Sequence, residues 1–228
     1  MIFLPFGCAH QQVSLVNTQT VSPYVPEAPK QAKHANFQQE YKSENARRMA
    51  DWVVDSRDNG GLPFAIVDKV DARVFVFHVD GQLRGSAPVL LGLSKGDDSI
   101  PDIGERKMSE IRPEERTTPA GRFHAVMGDN YNGKDVLWVD YENAISMHRV
   151  VTSNPKERRL ERLASPKPTE RRISFGCINV PADFFDKVVK PSFTGSGGMV
   201  YVLPETRSID EIFVTYYDVE KSPKKLQN

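Results

Sequence analysis

The apolar positions of the chain follow two different periods. Over residues 37–57 they recur mostly three or four positions apart, a spacing that predicts one amphipathic helix. Asn59, Gly60 and Gly61 follow directly and predict its end. Beyond this point the period changes, because short segments rich in β-branched and aromatic residues alternate with turn residues. That second pattern is typical of strands.

The predicted strands are short and closely spaced. They cover residues 64–67, 73–79, 82–91, 121–127, 136–141, 144–150 and 199–203. Asp80 and Gly81 stand between the second and third strands and predict a tight hairpin turn. This spacing predicts a mainly β fold with a few helices, an antiparallel β-sandwich or barrel and not a parallel sheet. A further helix is predicted at Pro181, because proline is favoured in the first helical turn.

The first 36 residues follow neither period. Seven apolar or small residues precede Cys8, after which the chain turns polar and carries three prolines up to residue 29. We interpret residues 1–36 as the remnant of a lipoprotein export signal, with Cys8 as the lipidated residue, followed by a flexible tether. The alternative is a frayed apolar terminus, since the basic start of a secretory signal is missing.

The composition excludes several classes of protein. Of 228 residues, 39% are hydrophobic and 26% are charged, which provides enough apolar surface for one globular core. The 30 basic and 30 acidic residues cancel, so no overall positive field attracts nucleic acid, and we expect no such partner. Two cysteines exclude a disulfide framework, and five histidines without a zinc-binding motif argue against a zinc site. No apolar run is long enough to span a bilayer.

Two charged segments interrupt the predicted strands. Residues 94–118 hold two glycines and two prolines, whereas residues 152–172 hold seven basic and three acidic side chains, a net charge of +4. Loops of this length within a domain are usually functional lids or disordered insertions. The second segment comes directly before the residues with the most distinctive chemistry.

The strongest local signal is the turn-like segment Ser174-Phe175-Gly176-Cys177-Ile178-Asn179. A cysteine after a glycine can expose its sulfur while backbone N–H groups converge on one point, as acyl transfer through a thioester requires. The alternative is a buried structural cysteine, the commoner fate of a lone thiol. A nucleophilic thiol also needs a basic neighbour to ionise at neutral pH. His78, His124 and His148 all lie on predicted strands, and position alone selects none of them.

Three separated motifs together resemble the L,D-transpeptidase catalytic domain, also called the YkuD-type domain. In chain order they are Thr118-Pro119-Ala120-Gly121-Arg122-Phe123, Met147-His148-Arg149 and the segment around Cys177. The resemblance covers residues 62–204. It divides the chain into four parts, which are the signal remnant and tether at 1–36, the N-terminal helix at 37–61, the catalytic-type domain, and a C-terminal extension at 205–228.

The resemblance implies a role for each matching residue. Cys177 would be the acylated nucleophile and His148 its base, with the backbone carbonyl of Arg149 orienting the imidazole ring. Backbone N–H groups around Gly176 and Cys177 would hold the oxyanion. The other matching motif positions are Ser174 and Asn179. No metal or organic cofactor is implied.

Two features depart from the family pattern. Phe175 stands where the family motif has a second histidine, so any polar role of that side chain is lost. In addition, 28 residues separate His148 from Cys177, more than is usual, and the surplus is the basic segment 152–172. This segment is interpreted either as a solvated excursion or as a cationic rim for an anionic substrate.

The function that the resemblance implies is cell-wall cross-linking in the periplasm. A peptidoglycan stem tetrapeptide would acylate the cysteine, and an amine of another stem peptide or of an envelope protein would accept the acyl group. Two alternatives stay open. With water as acceptor the chain would be a carboxypeptidase or amidase, and if Phe175 and the long segment abolish activity it would be a peptidoglycan-binding module.

Overall fold

The computed structural model describes residues 32–222. Cys8, its predicted lipidation and most of the predicted tether lie outside these residues. Within them, no helix combines the length and the apolar character needed to cross a bilayer.

The N-terminal helix is shorter than the sequence pattern predicts. Helix α1 spans Glu44–Ser56, so the prediction that it starts at residue 37 is wrong. The hydroxyl of Ser43 accepts a backbone N–H of the first turn and caps the helix. Gln38 takes a positive φ of 56°, which no right-handed helix contains. Phe37 therefore fits the helical period by coincidence, and its ring packs edge-on against Phe77 of the sheet.

Ten strands follow in chain order. They are β1 (Phe64–Asp68), β2 (Arg73–Phe77), β3 (Leu83–Pro88), β4 (Leu91–Gly92), β5 (Gly121–Asp129), β6 (Asp135–Asp140), β7 (Ile145–Arg149), β8 (Arg172–Ser174), β9 (Ile178–Val180) and β10 (Gly198–Val202). All seven predicted strand segments are present, although residues 82–91 form two strands. Only β8 and β9 were not predicted, because three residues are too few to display a period.

Eight strands form one sheet in the order β3-β2-β1-β10-β5-β6-β7-β9, while β4 and β8 form a separate pair. The predicted mainly β fold is confirmed, with one difference. The large sheet is mixed, since β1 runs parallel to β10 and β7 runs parallel to β9. Leu90, just after β3, exchanges two backbone hydrogen bonds with Asn179 in β9. This contact joins the two ends of the sheet and curls it into a nearly closed barrel.

Two hydrophobic cores lie on opposite faces of the central strands. Every residue of β1 is buried because its side chains alternate between the two cores. Ala65 and Val67 enter the first core, which a helical segment at residues 182–193 covers. Phe64 and Ile66 enter the second, which α1 covers.

The helical segment after Pro181 is irregular. It consists of α3 (Ala182–Phe184), a π-helical turn (Phe185–Val189) and α4 (Lys190–Phe193). Pro181 stands at the N-cap, one position before the first helical turn in which it was predicted. Through Phe185, Val189 and Phe193, one face of this segment enters the first core.

Both charged segments fold into short helical turns. Residues 94–118 contain 3-10 turns at Ile103–Glu105, Met108–Glu110 and Pro113–Glu115. Residues 152–172 contain 3-10 turns at Pro155–Glu157 and Pro168–Arg171, with helix α2 (Arg159–Ala164) between them. Both segments thus have defined local structure. A last short helix, α5 (Ile209–Ile212), follows β10.

Candidate active site

Cys177 lies in the turn between β8 and β9, which belong to different sheets. Gly176 takes a φ of +130°, and a Cβ there would lie 2.7 Å from the carbonyl oxygen of Thr117. The position therefore requires glycine. Thr118 holds the turn in place, since its hydroxyl donates to the Gly176 carbonyl at 2.8 Å and accepts the N–H of Gly92 at 2.9 Å.

The substitution Gly176→Ala is expected to lower the free energy of unfolding and to slow alkylation of the Cys177 thiol, because the turn must shift to relieve the contact with Thr117. The backbone strain alone is worth about 1–3 kcal/mol, and the steric contact adds to it. Gly133→Ala is the matched control, since Gly133 also has a positive φ but has no atom near the added Cβ. Urea denaturation measures both variants. Equal losses in the two would show that the contact with Thr117 is unimportant.

The buried side chain of Ser174 stabilises the turn that carries Cys177 through two hydrogen bonds. Its hydroxyl donates to the Cys177 carbonyl at 2.6 Å and accepts the N–H of Gly176 at 3.1 Å. The family resemblance implied that the Gly176 N–H helps to hold the oxyanion. In the structure this N–H is already hydrogen-bonded to Ser174 and is not available for that role. Within residues 32–222, the N–H of Cys177 meets no acceptor, which leaves it as the donor available to a substrate oxygen in this turn.

The parallel pairing of β7 with β9 brings His148 to Cys177 across 28 intervening residues. His148 is opposite Asn179 in this ladder. Its Nδ1 lies 2.7 Å from the carbonyl oxygen of Arg149, an atom that only accepts. Nδ1 therefore carries a proton, and Nε2 is left as the basic nitrogen. Among the described histidines, His148 is the one whose interaction lowers the pKa of the Cys177 thiol.

The thiol and the imidazole shift each other's pKa. Burial raises the pKa of the Cys177 thiol, but the interactions with His148 and Ser146 together outweigh burial, so the pKa is lowered overall. Burial lowers the pKa of His148, but its contact with Cys177 outweighs burial, so that pKa is raised overall. Both shifts favour a thiolate–imidazolium pair, the reactive form of a nucleophilic cysteine.

Ser146 also contacts the sulfur, although no motif in the sequence includes it. Its Oγ lies 3.7 Å from Sγ of Cys177, and its backbone N–H helps to lower the pKa of the thiol. Ser146 stands two positions before His148 and therefore lies on the same face of β7. The two-residue period of the strand was the signal that could have identified it.

Asn179 is fully buried and contacts both His148 and the backbone of Cys177. Its Nδ2 is 3.3 Å from the carbonyl oxygen of Cys177 and 3.5 Å from Nε2 of His148. Its Oδ1 accepts a hydrogen bond of 2.6 Å from Nη1 of Arg159, which belongs to the basic segment. The sequence holds no signal that separates Arg159 from the other basic residues of that segment.

Three basic side chains of the segment 152–172 contact the rest of the protein, and three contact groups within the segment itself. Six of its seven basic side chains contact carboxylates, carbonyls or the Asn179 amide, and Lys156 is the exception within the described part of the chain. Arg171 donates to the carbonyl oxygen of Ala72, and Arg172 pairs with Glu205. The segment is therefore anchored at Arg159, Arg171 and Arg172, while Arg158 and Lys167 stay exposed, and both interpretations of its role stay predictions.

Phe175 supports an arginine at the position where the family motif has its second histidine. The guanidinium carbon of Arg116 lies 3.9 Å from the centre of the Phe175 ring, a cation–π contact. Nε and Nη2 of Arg116 also donate to the carbonyl oxygen of Ile111, at 3.2 and 2.9 Å. The ring thus packs the segment 94–118 against the turn before Cys177, a role that needs no titratable group.

Groups of three or more metal-ligating side chains are absent from residues 32–222. Cys177 is a free thiol. The site therefore consists of one thiol, one imidazole and neutral hydrogen-bonding groups, with a single guanidinium behind the asparagine. Such a set can perform nucleophilic acyl transfer with proton transfer between the thiol and the imidazole.

The chain has no match among protein-family models and none among curated protein sequences. Solved structures do match it, and many of them are L,D-transpeptidases. An Enterococcus faecium L,D-transpeptidase mutant shares 14% identity, with a TM-score of 0.33, over 62% of this chain and 49% of that chain. The catalytic domain of the E. faecium enzyme shares 17% identity, with a TM-score of 0.35, over 63% of this chain and 98% of that domain.

A third match is the helical cell shape determining protein Pgp2 from Campylobacter jejuni. It shares 15% identity, with a TM-score of 0.39, over 64% of this chain and 49% of that chain. The chain thus spans about half the length of the enterococcal mutant protein and of Pgp2.

Proposed function

We propose that the chain is a cysteine acyltransferase of the cell envelope that acts on peptidoglycan stem peptides as an L,D-transpeptidase. The observation that supports this most strongly is the pairing of the strands that carry His148 and follow Cys177, together with the mutual shifts of the two groups, in which the pKa of the thiol is lowered and that of the imidazole is raised. The unengaged N–H of Cys177 adds a donor for an oxyanion. The three sequence motifs occur in the order typical of L,D-transpeptidases, and this resemblance is the basis for proposing peptidoglycan stem peptides as the substrate.

In the proposed first half-reaction, the Cys177 thiolate attacks the amide carbonyl that follows the L-centre of the third residue of a stem tetrapeptide. A C–S bond forms, and the oxyanion accepts the N–H of Cys177. His148, protonated at Nε2, gives this proton to the nitrogen of the terminal D-alanine as the C–N bond breaks. D-alanine leaves, and the tripeptide remains as a thioester.

The second half-reaction reverses these roles. An amine of another stem peptide or of an envelope protein attacks the thioester carbonyl, and Nε2 of His148 takes the proton of that amine. The C–S bond breaks as the new amide forms, which regenerates the thiolate–imidazolium pair. No atom outside the two peptides and the Cys177–His148 pair takes part. Action on peptidoglycan places the protein at the cell envelope, in the periplasm, with lipidation of Cys8 as the proposed anchor.

Incubation with a defined tetrapeptide muropeptide tests the proposal. The expected result is release of D-alanine together with a mass increase of the protein equal to the tripeptide acyl group, located on Cys177 by peptide mass spectrometry. With a second stem peptide present, cross-linked dimers are expected, because an amine competes with water for the thioester.

The products also distinguish the two alternatives. Trimmed monomers without dimers would make the chain a hydrolase of the same family. Absence of both an adduct and D-alanine release, with a Cys177 thiol that alkylates only near pH 8 or above like an ordinary cysteine, would leave a peptidoglycan-binding module.

A further inference from the structure

Arg159 connects the basic segment to the reactive pair. It begins α2, its side chain is only 12% exposed, and its Nη1 donates to Oδ1 of Asn179 at 2.6 Å. We propose that Arg159 is a positioning residue for the reaction: it orients the amide of Asn179 so that Nδ2 faces both His148 and the carbonyl of Cys177. The contact follows from geometry alone, whereas its role in turnover rests on the function proposed above.

The amide of Asn179 has one orientation that satisfies its neighbours. Arg159 can only donate and the Cys177 carbonyl can only accept, so Oδ1 must face the arginine and Nδ2 the carbonyl. Because Asn179 is fully buried, a reversed amide would lose both hydrogen bonds without water to replace them. Arg159 therefore decides which end of the amide stands 3.5 Å from Nε2 of His148.

Arg159 also places a positive charge beside the base. The charged groups of the elements around the imidazole are Cys177, Arg159, Glu157, Arg149, Asp135 and Asp186. Arg149 turns its guanidinium to Asp135 and Asp186, and Glu157 pairs with Arg159. Burial lowers the pKa of His148 and the contact with Cys177 raises it, while the charge of Arg159 lowers it again. The arginine thus opposes excessive protonation of a base that must later accept the proton of an amine.

The donors of Arg159 are used within the protein, which distinguishes it from a substrate-binding cation. Nε pairs with Glu157, and Nη1 is bound to Asn179. The neighbouring Arg158 is different, because its side chain is 69% exposed and pairs with Glu161 on the surface of the same segment. Two adjacent arginines therefore offer a matched comparison in which only one reaches the site.

The first experiment follows the protonation of His148 by NMR in a Cys177→Ala background, where no thiol titrates with it. Adding Arg159→Met is expected to raise the pKa of His148, because a nearby cation is removed. Arg158→Met is expected to leave it unchanged. This titration needs no substrate, so it tests Arg159 even if the chain releases no D-alanine. An unchanged pKa in the Arg159→Met variant overturns the proposal.

The second experiment measures D-alanine release by variants that retain Cys177. Arg159→Met is expected to lower kcat about tenfold with KM unchanged, because the lost hydrogen bond to a charged group orients the catalytic pair and not the substrate. Arg159→Lys keeps the charge but not the planar donor set, so kcat should stay low while the pKa of His148 stays near that of the parent. A kcat equal to that of Arg158→Met, in folded protein, overturns the positioning role.

Discussion

Replacing Cys177 with alanine is expected to abolish D-alanine release from tetrapeptide muropeptides without unfolding the protein. The sulfur is the proposed nucleophile, so no acyl-enzyme can form without it. Apart from its interaction with His148, the sulfur has only long contacts within the described residues, with Oγ of Ser146 at 3.7 Å and the carbonyl oxygen of Ala144 at 3.5 Å, so its loss costs little stability. Mass spectrometry of the muropeptides measures the release, and thermal unfolding verifies the fold. Unchanged release by Cys177→Ala would disprove the acyl-enzyme.

The companion variant His148→Gln separates the nucleophile from its base. His148 lowers the pKa of the Cys177 thiol by its hydrogen bond and charge, and burial acts in the opposite direction. Without the imidazole, burial is left to dominate, so the pKa of the thiol should rise and its alkylation should require higher pH. Alkylation rates measured between about pH 5 and 10 test this shift. A thiol that alkylates with the same pH dependence in both proteins would remove His148 from the role of base.

The second large effect is expected in a buried ionic network beside the active site. Nζ of Lys69, whose side chain is 0% exposed, contacts Oδ1 of Asp97 at 2.7 Å and the carbonyl oxygen of Thr118 at 2.8 Å. The other oxygen of Asp97 accepts the backbone N–H groups of Thr206 and Arg207, both at 2.9 Å. Asp97→Ala removes the nearer carboxylate from the buried ammonium, whose other carboxylate, Glu205 at 3.7 Å, is already paired with Arg172, and it leaves several backbone donors without an acceptor. The free energy of unfolding is expected to fall by about 3–5 kcal/mol, as measured by urea denaturation.

Two further variants test whether this loss comes from the buried charge. Lys69→Met is expected to cost less than Asp97→Ala, since the carboxylate keeps its backbone donors and the thioether fills the space of the alkyl chain. Lys187→Met removes an exposed ion pair with Asp183 and is expected to have no measurable effect. A loss in Asp97→Ala no larger than that in Lys187→Met would contradict the role of the network.

The contribution of Asp97 should also depend on pH. Burial raises the pKa of its carboxyl, but Lys69, Thr206 and the backbone donors outweigh burial and lower the pKa overall. The folded protein therefore binds this proton less readily than the unfolded chain, so the stabilisation is present above about pH 4 and is lost as the pH falls below it. The difference between the natural chain and Asp97→Ala should accordingly shrink on acidification.

The same network connects stability to the reactive turn. Lys69 holds the carbonyl of Thr118, and the hydroxyl of Thr118 donates to the carbonyl of Gly176, one residue before Cys177. None of these long-range contacts was visible in the sequence. In the sequence, nothing distinguishes Lys69 from other basic residues that follow a strand. Its burial depends on the contacts that it makes with the segment 94–118.

Local pattern and motif together predicted much of the fold. Short segments rich in β-branched and aromatic residues, bounded by turn residues, predicted seven strand segments. This pattern missed β8 and β9 because three residues cannot establish a period, and these strands bracket the nucleophile. The helical period extended α1 too far, because Phe37 serves the same core from a non-helical segment.

By itself, the sequence determined which chemical groups the protein carries for the proposed reaction. Cys177, the glycine before it and His148 follow from motifs whose residues are close in the chain. Only the tertiary structure decided how these groups are arranged. The parallel pairing of β7 with β9 brings base and nucleophile together, and the folding of residues 152–172 brings Arg159 to Asn179. The seven basic residues of this segment are equivalent in sequence, and they become different only when the segment packs on the rest of the protein, which buries Arg171 and Arg172 and leaves Arg158 exposed.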